Sequence, residues 1–341
     1  MEQIQIYTAD LTKIFWLTAL SFVIALIWTP IFTDFLYRNK LGKRIRKTGL
    51  DAEKAPIFYK LHKDKENTPT MGGLLIWVTA AVITLLFNLS RAGTWLPLFA
   101  LCATGFIGMI DDLANIKGAG PNRGGLAFKY KIFLYLAIAI LGAWWFFFKL
   151  GWDNFHIPGY GDVFLGLWYI PLFIAVIVGL AFAVNETDGL DGLAGGILAI
   201  NFAAYGLICL VEGKVALAAF CGTIMGALLA FLWFNIYPAR FFMGDTGAMA
   251  LGTTLGVIAF LTNTVAVLPI IGFVFVIEAL SVIIQLFSKK VFHKKVFLSA
   301  PLHHHLEAVG WPEAKVTMRF WVISGVMAVI GLMIALIGRG V

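Results

Sequence analysis

Charge is scarce in this chain. Asp, Glu, Lys and Arg make up 13% of its 341 residues, while 60% are hydrophobic. A soluble domain carries about 25% charged and about 45–50% apolar residues, so that class is excluded. Cysteine is scarcer still. Cys102, Cys209 and Cys221 lie inside apolar runs without the spacing of metal ligands, which leaves them as packing residues. Several motifs are missing. Gly118-Ala-Gly-Pro-Asn-Arg-Gly-Gly is glycine-rich but has no Lys-Ser or Lys-Thr ending, so ATP-driven transport is disfavoured. Neither Gly-x-Ser-x-Gly nor a zinc-protease motif occurs, which disfavours hydrolases of those types. No inverted or parallel repeat of the kind seen in many secondary transporters is visible. The net charge of +7 comes without a basic amphipathic stripe and indicates no nucleic-acid partner; basic residues are expected beside anionic lipid.

What the chain does have is apolar runs of about 17–25 residues, the length that crosses a hydrocarbon core about 30 Å thick. They predict an all-α, polytopic integral membrane protein, with residues 1–341 as a single membrane domain. Ten spans are expected, at about 14–36, 71–89, 95–112, 130–149, 167–184, 192–211, 214–234, 247–261, 265–288 and 318–338. The first is too long for a signal-peptide core and has no small-x-small cleavage site, so it reads as a span. Of the 26 lysines and arginines, 21 fall in the connections after the odd-numbered spans or, for Lys131 and Arg319, at the very start of the span that follows. That bias puts those connections in the cytoplasm and both termini outside. Trp95, Trp152, Trp168 and Tyr169, at the opposite ends, read as interfacial anchors.

The cytoplasmic connections, at about 37–70, 113–129, 185–191, 235–246 and 289–317, also carry the polar motifs. Asp111-Asp112 ends the third span. Adjacent carboxylates beside a membrane repel and lose water, so a cation such as Mg²⁺ is expected there. In Asn185-Glu-Thr-Asp188-Gly-Leu-Asp191-Gly, the two aspartates are three apart and would share one face of a helical turn. Thr187 or Asp188 is a candidate cap for the next helix, whose N-terminus suits a phosphate. In Asn235-Ile-Tyr-Pro-Ala-Arg-Phe-Phe242-Met-Gly244-Asp245-Thr-Gly, the aspartate suits a metal ligand or an N-cap. Phe241 and Phe242 offer faces for stacking a base. His303, His304 and His305 cannot all face one metal from a helix and lack the spacing of a zinc site. They suit phosphate contacts instead. Lys65, Lys129 and Lys131 read first as snorkelling anchors at span ends and second as charge partners of the aspartates. Glu278 and Gln285, seven apart in the ninth span, should face protein and read first as structural; Gln285 is also a substrate-side candidate.

Carboxylates, lysines, histidines and aromatics at one face suit transfer of a phosphoryl group between a diphosphate and a lipid-borne acceptor. A transporter would instead place carboxylates at mid-membrane or on both sides. The chain resembles the polyprenyl-phosphate N-acetylhexosamine-1-phosphate transferases. The resemblance runs through Thr68-Pro-Thr-Met-Gly-Gly, Gly108-Met-Ile-Asp-Asp, Asn185-Glu-Thr-Asp-Gly-Leu-Asp-Gly-Leu-Ala, Phe242-Met-Gly-Asp-Thr-Gly and Ala300-Pro-Leu-His-His-His-Leu-Glu, then Gly310-Trp-Pro-Glu. The triple histidine and Trp-Pro-Glu resemble the muramoyl-pentapeptide branch.

That resemblance implies UDP-MurNAc-pentapeptide and undecaprenyl phosphate as substrates, lipid I and UMP as products, Mg²⁺ as cofactor, and a homodimer in the bacterial inner membrane. It implies catalytic roles for Asp111, Asp112, Asp245 and His304, with the metal on Asp245 and Asp111 or Asp112 assisting. Asp111 is the candidate base for direct attack; a two-step route through an aspartyl nucleophile is the alternative. Lys65, Thr70, Asn185, Asp188, Gly189, Leu190, Asp191, Asn235 and Phe242 match the nucleoside and sugar side, and Lys131 and Gly244 are further substrate-binding candidates. His303 and His305 match the diphosphate or peptide side. A sister enzyme using UDP-GlcNAc is the nearest alternative.

Overall fold

The computed structural model describes residues 2–42, 59, 61–119 and 125–338. Much of the basic block between Arg38 and Lys65, and the middle of the glycine-rich segment after Gly118, lie outside the described residues.

Each of the ten expected spans coincides with helix. In chain order the α-helices with described bounds are α1 (Glu2–Arg38), α2 (Gly73–Phe87), α3 (Trp95–Ile116), α4 (Phe128–Trp144), α5 (Tyr169–Thr187), α6 (Leu193–Val211), α7 (Val215–Asn235), α8 (Gly244–Leu261), α9 (Leu268–Ile271), α10 (Phe273–Phe292), α11 (Leu302–Ala308, outside the expected spans) and α12 (Glu313–Ile337). Eight are long and apolar enough to cross a membrane. Two of the ten expectations need adjustment. The 265–288 span is broken at Gly272, where its two pieces meet at 82°. α2 has 15 residues, about 22 Å of helix, and is short for a full crossing.

The outer surface is apolar as well as the core, as lipid demands. On α12, Val322, Val326, Val329 and Met333 face outward, while Ser324, Ala328, Gly331 and Ala335 are buried. Small residues let helices approach closely where no hydrophobic force pulls them together. The extreme case is α8, rich in Gly, Ala and Thr and buried along almost its whole length. α2, α3, α5 and α6 pack around it. α7 sits between α1 and α6. Phe146, Tyr169, Phe173 and Phe260 fill one end of the core with tilted and edge-to-face rings.

That aromatic core corrects one expectation. Tyr169 is buried rather than interfacial, whereas Trp95 and Trp168 are exposed as anchors should be. The 150–166 connection adds a small antiparallel hairpin, β1 (Asn154–Ile157) with β2 (Gly161–Phe164), tied to Asn263 beyond the C-terminal end of α8. It lies at the opposite end of the bundle from the polar motifs. Cys209 and Cys221 are buried and Cys102 half-buried, all unpaired, as packing residues.

Candidate active site

The site forms around the N-terminus of α8. Two close approaches fix that helix end. A Cβ on Gly108 of α3 would lie 2.2 Å from the Asp245 carbonyl oxygen, so only glycine lets α3 cross there. One turn later α3 delivers Asp111 and Asp112. On the other side, the Thr68–Gly73 segment is laced to Phe242 and Met243. Phe242 N–H donates to Pro69 C=O at 2.8 Å, Gly72 N–H to Phe242 C=O at 2.8 Å, and Gly73 N–H to Met243 C=O at 2.9 Å.

The adjacent aspartates then separate in role, because neighbouring residues on a helix point about 100° apart. Asp112 caps α8. It accepts from Thr246 N–H at 3.0 Å, Thr246 Oγ1 at 2.6 Å and Asp245 N–H at 3.3 Å, with Thr70 Oγ1 at 3.5 Å. Such a cap satisfies donors that the first helical turn leaves open. Asp111 accepts from Leu126 N–H at 2.8 Å and pairs with Lys131 at 2.6 Å. Lys131 also pairs with Asp245, so its buried ammonium bridges two carboxylates. Asn185 completes the group, donating Nδ2–H to Asp245 Oδ1 at 2.9 Å. Lys131 is thus a charge partner and not a snorkelling anchor. Lys129, beside the exposed Tyr130 ring at 5.0 Å, keeps the anchor role.

Asp188 and Asp191 do not share a face. α5 ends at Thr187 and α6 starts at Leu193; between them the chain turns through Gly192 at φ +76. Asp188 Oδ2 accepts from Gly244 N–H at 3.1 Å. Asp191 pairs with Lys65 at 2.7 Å and accepts from Ala239 N–H at 2.9 Å. Neither Thr187 nor Asp188 caps α6: Thr187 Oγ1 donates to Ala183 C=O, and Gly192 is the cap position. Asn235 supports this turn, accepting from Gly192 N–H at 3.0 Å and donating to Phe241 C=O at 2.9 Å. Leu190 is buried beneath it.

Lys65 is held a second time by Glu313, at 2.5 Å. Burial opposes its charge, but Asp191 and Glu313 outweigh that and raise the ammonium above its ordinary range. The Lys65 ammonium lies 5.9 Å from the centres of both the Tyr237 and Phe242 rings. Phe242 is half-buried. Phe241 is fully buried against Phe32, Phe231 and Phe234, so one of the two expected stacking rings belongs to the core. Glu313 carried no assigned role in the sequence. Its signal was an acid in the first turn of a helix, but its partner is 248 residues away.

The three histidines diverge. His303 is fully buried, and its Nδ1 lies 2.9 Å from the equally buried Glu278 Oε2. Burial opposes charge on His303, but Glu278 outweighs it and raises the imidazole above its usual range. Its Nε2 packs against Gly189, where a Cβ would come within 2.2 Å. His304 Nδ1 lies 2.8 Å from Glu307 Oε2. Burial first, then His303, His62 and Lys65, hold His304 well below its usual range. Burial and then Glu313 push Glu307 up to about 7. His305 turns away to Phe297 and accepts from Leu298 N–H at 3.2 Å. Gln285 anchors the same segment, accepting from Val296 and Phe297 N–H at 3.0 Å.

Residues 94–263 match the family described as glycosyl transferase family 4. Residues 65–76 match signature 1 of the phospho-N-acetylmuramoyl-pentapeptide-transferases. A protein of that name from Chloroflexus aurantiacus is 41% identical over 342 residues, covering 96% of this chain and 91% of the relative. Another from Geobacillus sp. (strain WCH70) is 42% identical over 324 residues, covering 92% and 95%. The chain belongs to the phospho-N-acetylmuramoyl-pentapeptide-transferase family. Membership makes it a multi-pass membrane transferase, in keeping with its apolar helices. The transferase signature itself spans Lys65 to Ile76, the stretch laced to Phe242 and Met243.

Proposed function

We propose that the chain transfers phospho-MurNAc-pentapeptide from UDP-MurNAc-pentapeptide to undecaprenyl phosphate at the cytoplasmic face of the bacterial inner membrane. A phosphate oxygen of the lipid attacks the sugar-linked phosphorus. The bond to the bridging oxygen breaks, UMP leaves, and lipid I forms. The observation that carries this reading is the meeting of Asp111, Lys131, Asn185 and Asp245 at the same end of the bundle as Lys65 and Phe242.

The donor set fits Mg²⁺. Two carboxylates, Asp111 buried and Asp245 half-buried, converge on one ammonium, a place where a cation of higher charge would be at home, and the donors around it are oxygens. Asp245 would hold the ion, with Asp111 beside it and Asp112 as a further candidate. When bound, it supplies neutralising charge for the diphosphate.

The chain's own residues supply position. Asn185 orients the Asp245 carboxylate, and Asp112 holds the turn from which Asp245 projects. Lys131 keeps Asp111 and Asp245 together despite their like charge. Asp111 is the proposed base toward the lipid phosphate. Phe242 is the proposed stacking ring for uracil. Lys65, pinned by Asp191 and Glu313, places a fixed positive charge near that ring. His303 and His304 direct Nε2 atoms toward the Asp188–Gly189 turn, where diphosphate or sugar oxygens would accept from them.

The test compares UMP release from UDP-MurNAc-pentapeptide and from UDP-GlcNAc, each with undecaprenyl phosphate and Mg²⁺. Release from the first alone supports the proposal. Release from UDP-GlcNAc alone would make this a sister enzyme.

A further inference from the structure

The reaction proposed above uses the Nε2 side of His304 and leaves its Nδ1 side unexplained. That side belongs to a group of three. His62, His304 and Glu307 each offer a ligand atom, and these atoms lie within 4.8 Å of one another. Glu307 Oε2 is 3.4 Å from His62 Nε2 and 2.8 Å from His304 Nδ1. The two imidazoles meet edge to face at 4.9 Å. His62 and Glu307 are 3% and 8% exposed at their side chains, so the cluster is shielded from solvent. His304 and Glu307 stand one helical turn apart on α11, while His62 comes from a segment 242 positions earlier.

The spacing has a chemical meaning. Zinc-class ions bind His nitrogen and carboxylate oxygen at about 2.0–2.2 Å, which sets tetrahedral ligand atoms roughly 3.3 Å apart. Small side-chain movements bring this group to that geometry. Two nitrogens and one oxygen favour a borderline ion over Mg²⁺, which prefers oxygen alone. The position of His304 adds a second argument. Its Nε2 lies 3.0 Å from where a Cβ on Gly189 would sit. An imidazole ligated through Nδ1 carries its proton on Nε2 and is fixed in orientation by the bond.

We propose that His62, His304 and Glu307 form a second metal centre of zinc class, which locks His304 with its Nε2–H toward the Asp188–Gly189 turn. The sequence expectation that the histidine run lacks zinc spacing holds for the run by itself. It does not hold for one of its members joined by His62 and Glu307.

The test is cobalt substitution of the untagged, full-length protein in detergent. After chelator treatment, Co²⁺ should bind at about one ion per chain with the visible absorption of a tetrahedral site. Zn²⁺ should displace it, and excess Mg²⁺ should not. His62→Ala and Glu307→Gln should each weaken cobalt binding by roughly 100-fold, while Asp245→Asn leaves it intact. His62→Cys keeps a ligand and should add a sulfur-to-cobalt charge-transfer band. That gain of signal cannot arise from misfolding. Absence of the visible band in the wild type overturns the proposal. So does a band that survives both His62→Ala and Glu307→Gln, a band lost in Asp245→Asn, or a His62→Cys protein without the new band. No substrate is used, so the result is separate from the success or failure of the transferase reading.

Discussion

Asp111 and Asp112 are adjacent in sequence and differ in what they touch. Asp111 meets Lys131, and Asp112 caps α8. Asp111→Asn and Asp245→Asn should each lower transfer by roughly 10³-fold or more while leaving the protein folded in detergent. Near-normal turnover in either variant would remove that residue from the chemistry. Asp112→Ala should in addition lower stability. It uncovers the Asp245 and Thr246 N–H groups and costs about 1–2 kcal/mol, seen as a lower unfolding midpoint. Asp112→Asn keeps an acceptor oxygen and should recover most of that loss. The aspartate pair was visible in the sequence, as was its need for a positive partner. Its division of labour was not, because that depends on Thr246 and Lys131, which the chain brings in from other helices. Lys131 shows the same limit: a lysine at a span end looks like an anchor until its two carboxylates are seen.

Among the elements, the helices were the most legible, since each apolar run of sufficient length must satisfy its own backbone in lipid. The break at Gly272 and the turn at 188–192 were not, because they depend on what packs beside them. That turn is held by a strap from Asp191 through Lys65 to Glu313. Lys65 has a raised pKa, so its contribution to stability is complete below its ordinary value of 10.5 and is lost only as pH rises through the higher one. Between about pH 7 and pH 10, the unfolding midpoint of the wild type should therefore be insensitive to Lys65. Asp191→Asn with Glu313→Gln leaves burial unopposed and brings the folded-state pKa below 10.5, so the sign reverses and the variant's stability should rise as pH climbs toward that value. An unchanged pH profile in the double variant would show that the strap does not hold that charge. At the α3–α8 crossing, Gly108→Ala should cost about 1–3 kcal/mol of stability, seen as a lower midpoint, because the added carbon meets main chain and not a flexible side chain.

At the scale of the whole molecule, the polar motifs collect at one end of the bundle, and the β1–β2 hairpin lies at the other. The bias of basic residues made this one-sidedness readable from sequence; convergence of those connections on the start of α8 required the packing. The proposed orientation predicts that Arg240→Cys reacts with an impermeant thiol reagent only from the cytoplasmic side, and Tyr160→Cys only from outside. Both positions are exposed, and the native cysteines lie within helices. The reverse pattern would invert the molecule. The central claim is that this end of the bundle transfers a sugar phosphate to a lipid. The most direct measurement is UMP release by the purified protein from UDP-MurNAc-pentapeptide, with and without undecaprenyl phosphate and with and without Mg²⁺. The account predicts release, with matching formation of lipid I, only when both are present and not in Asp245→Asn. Release that is indifferent to the lipid, or that persists in Asp245→Asn, would contradict it.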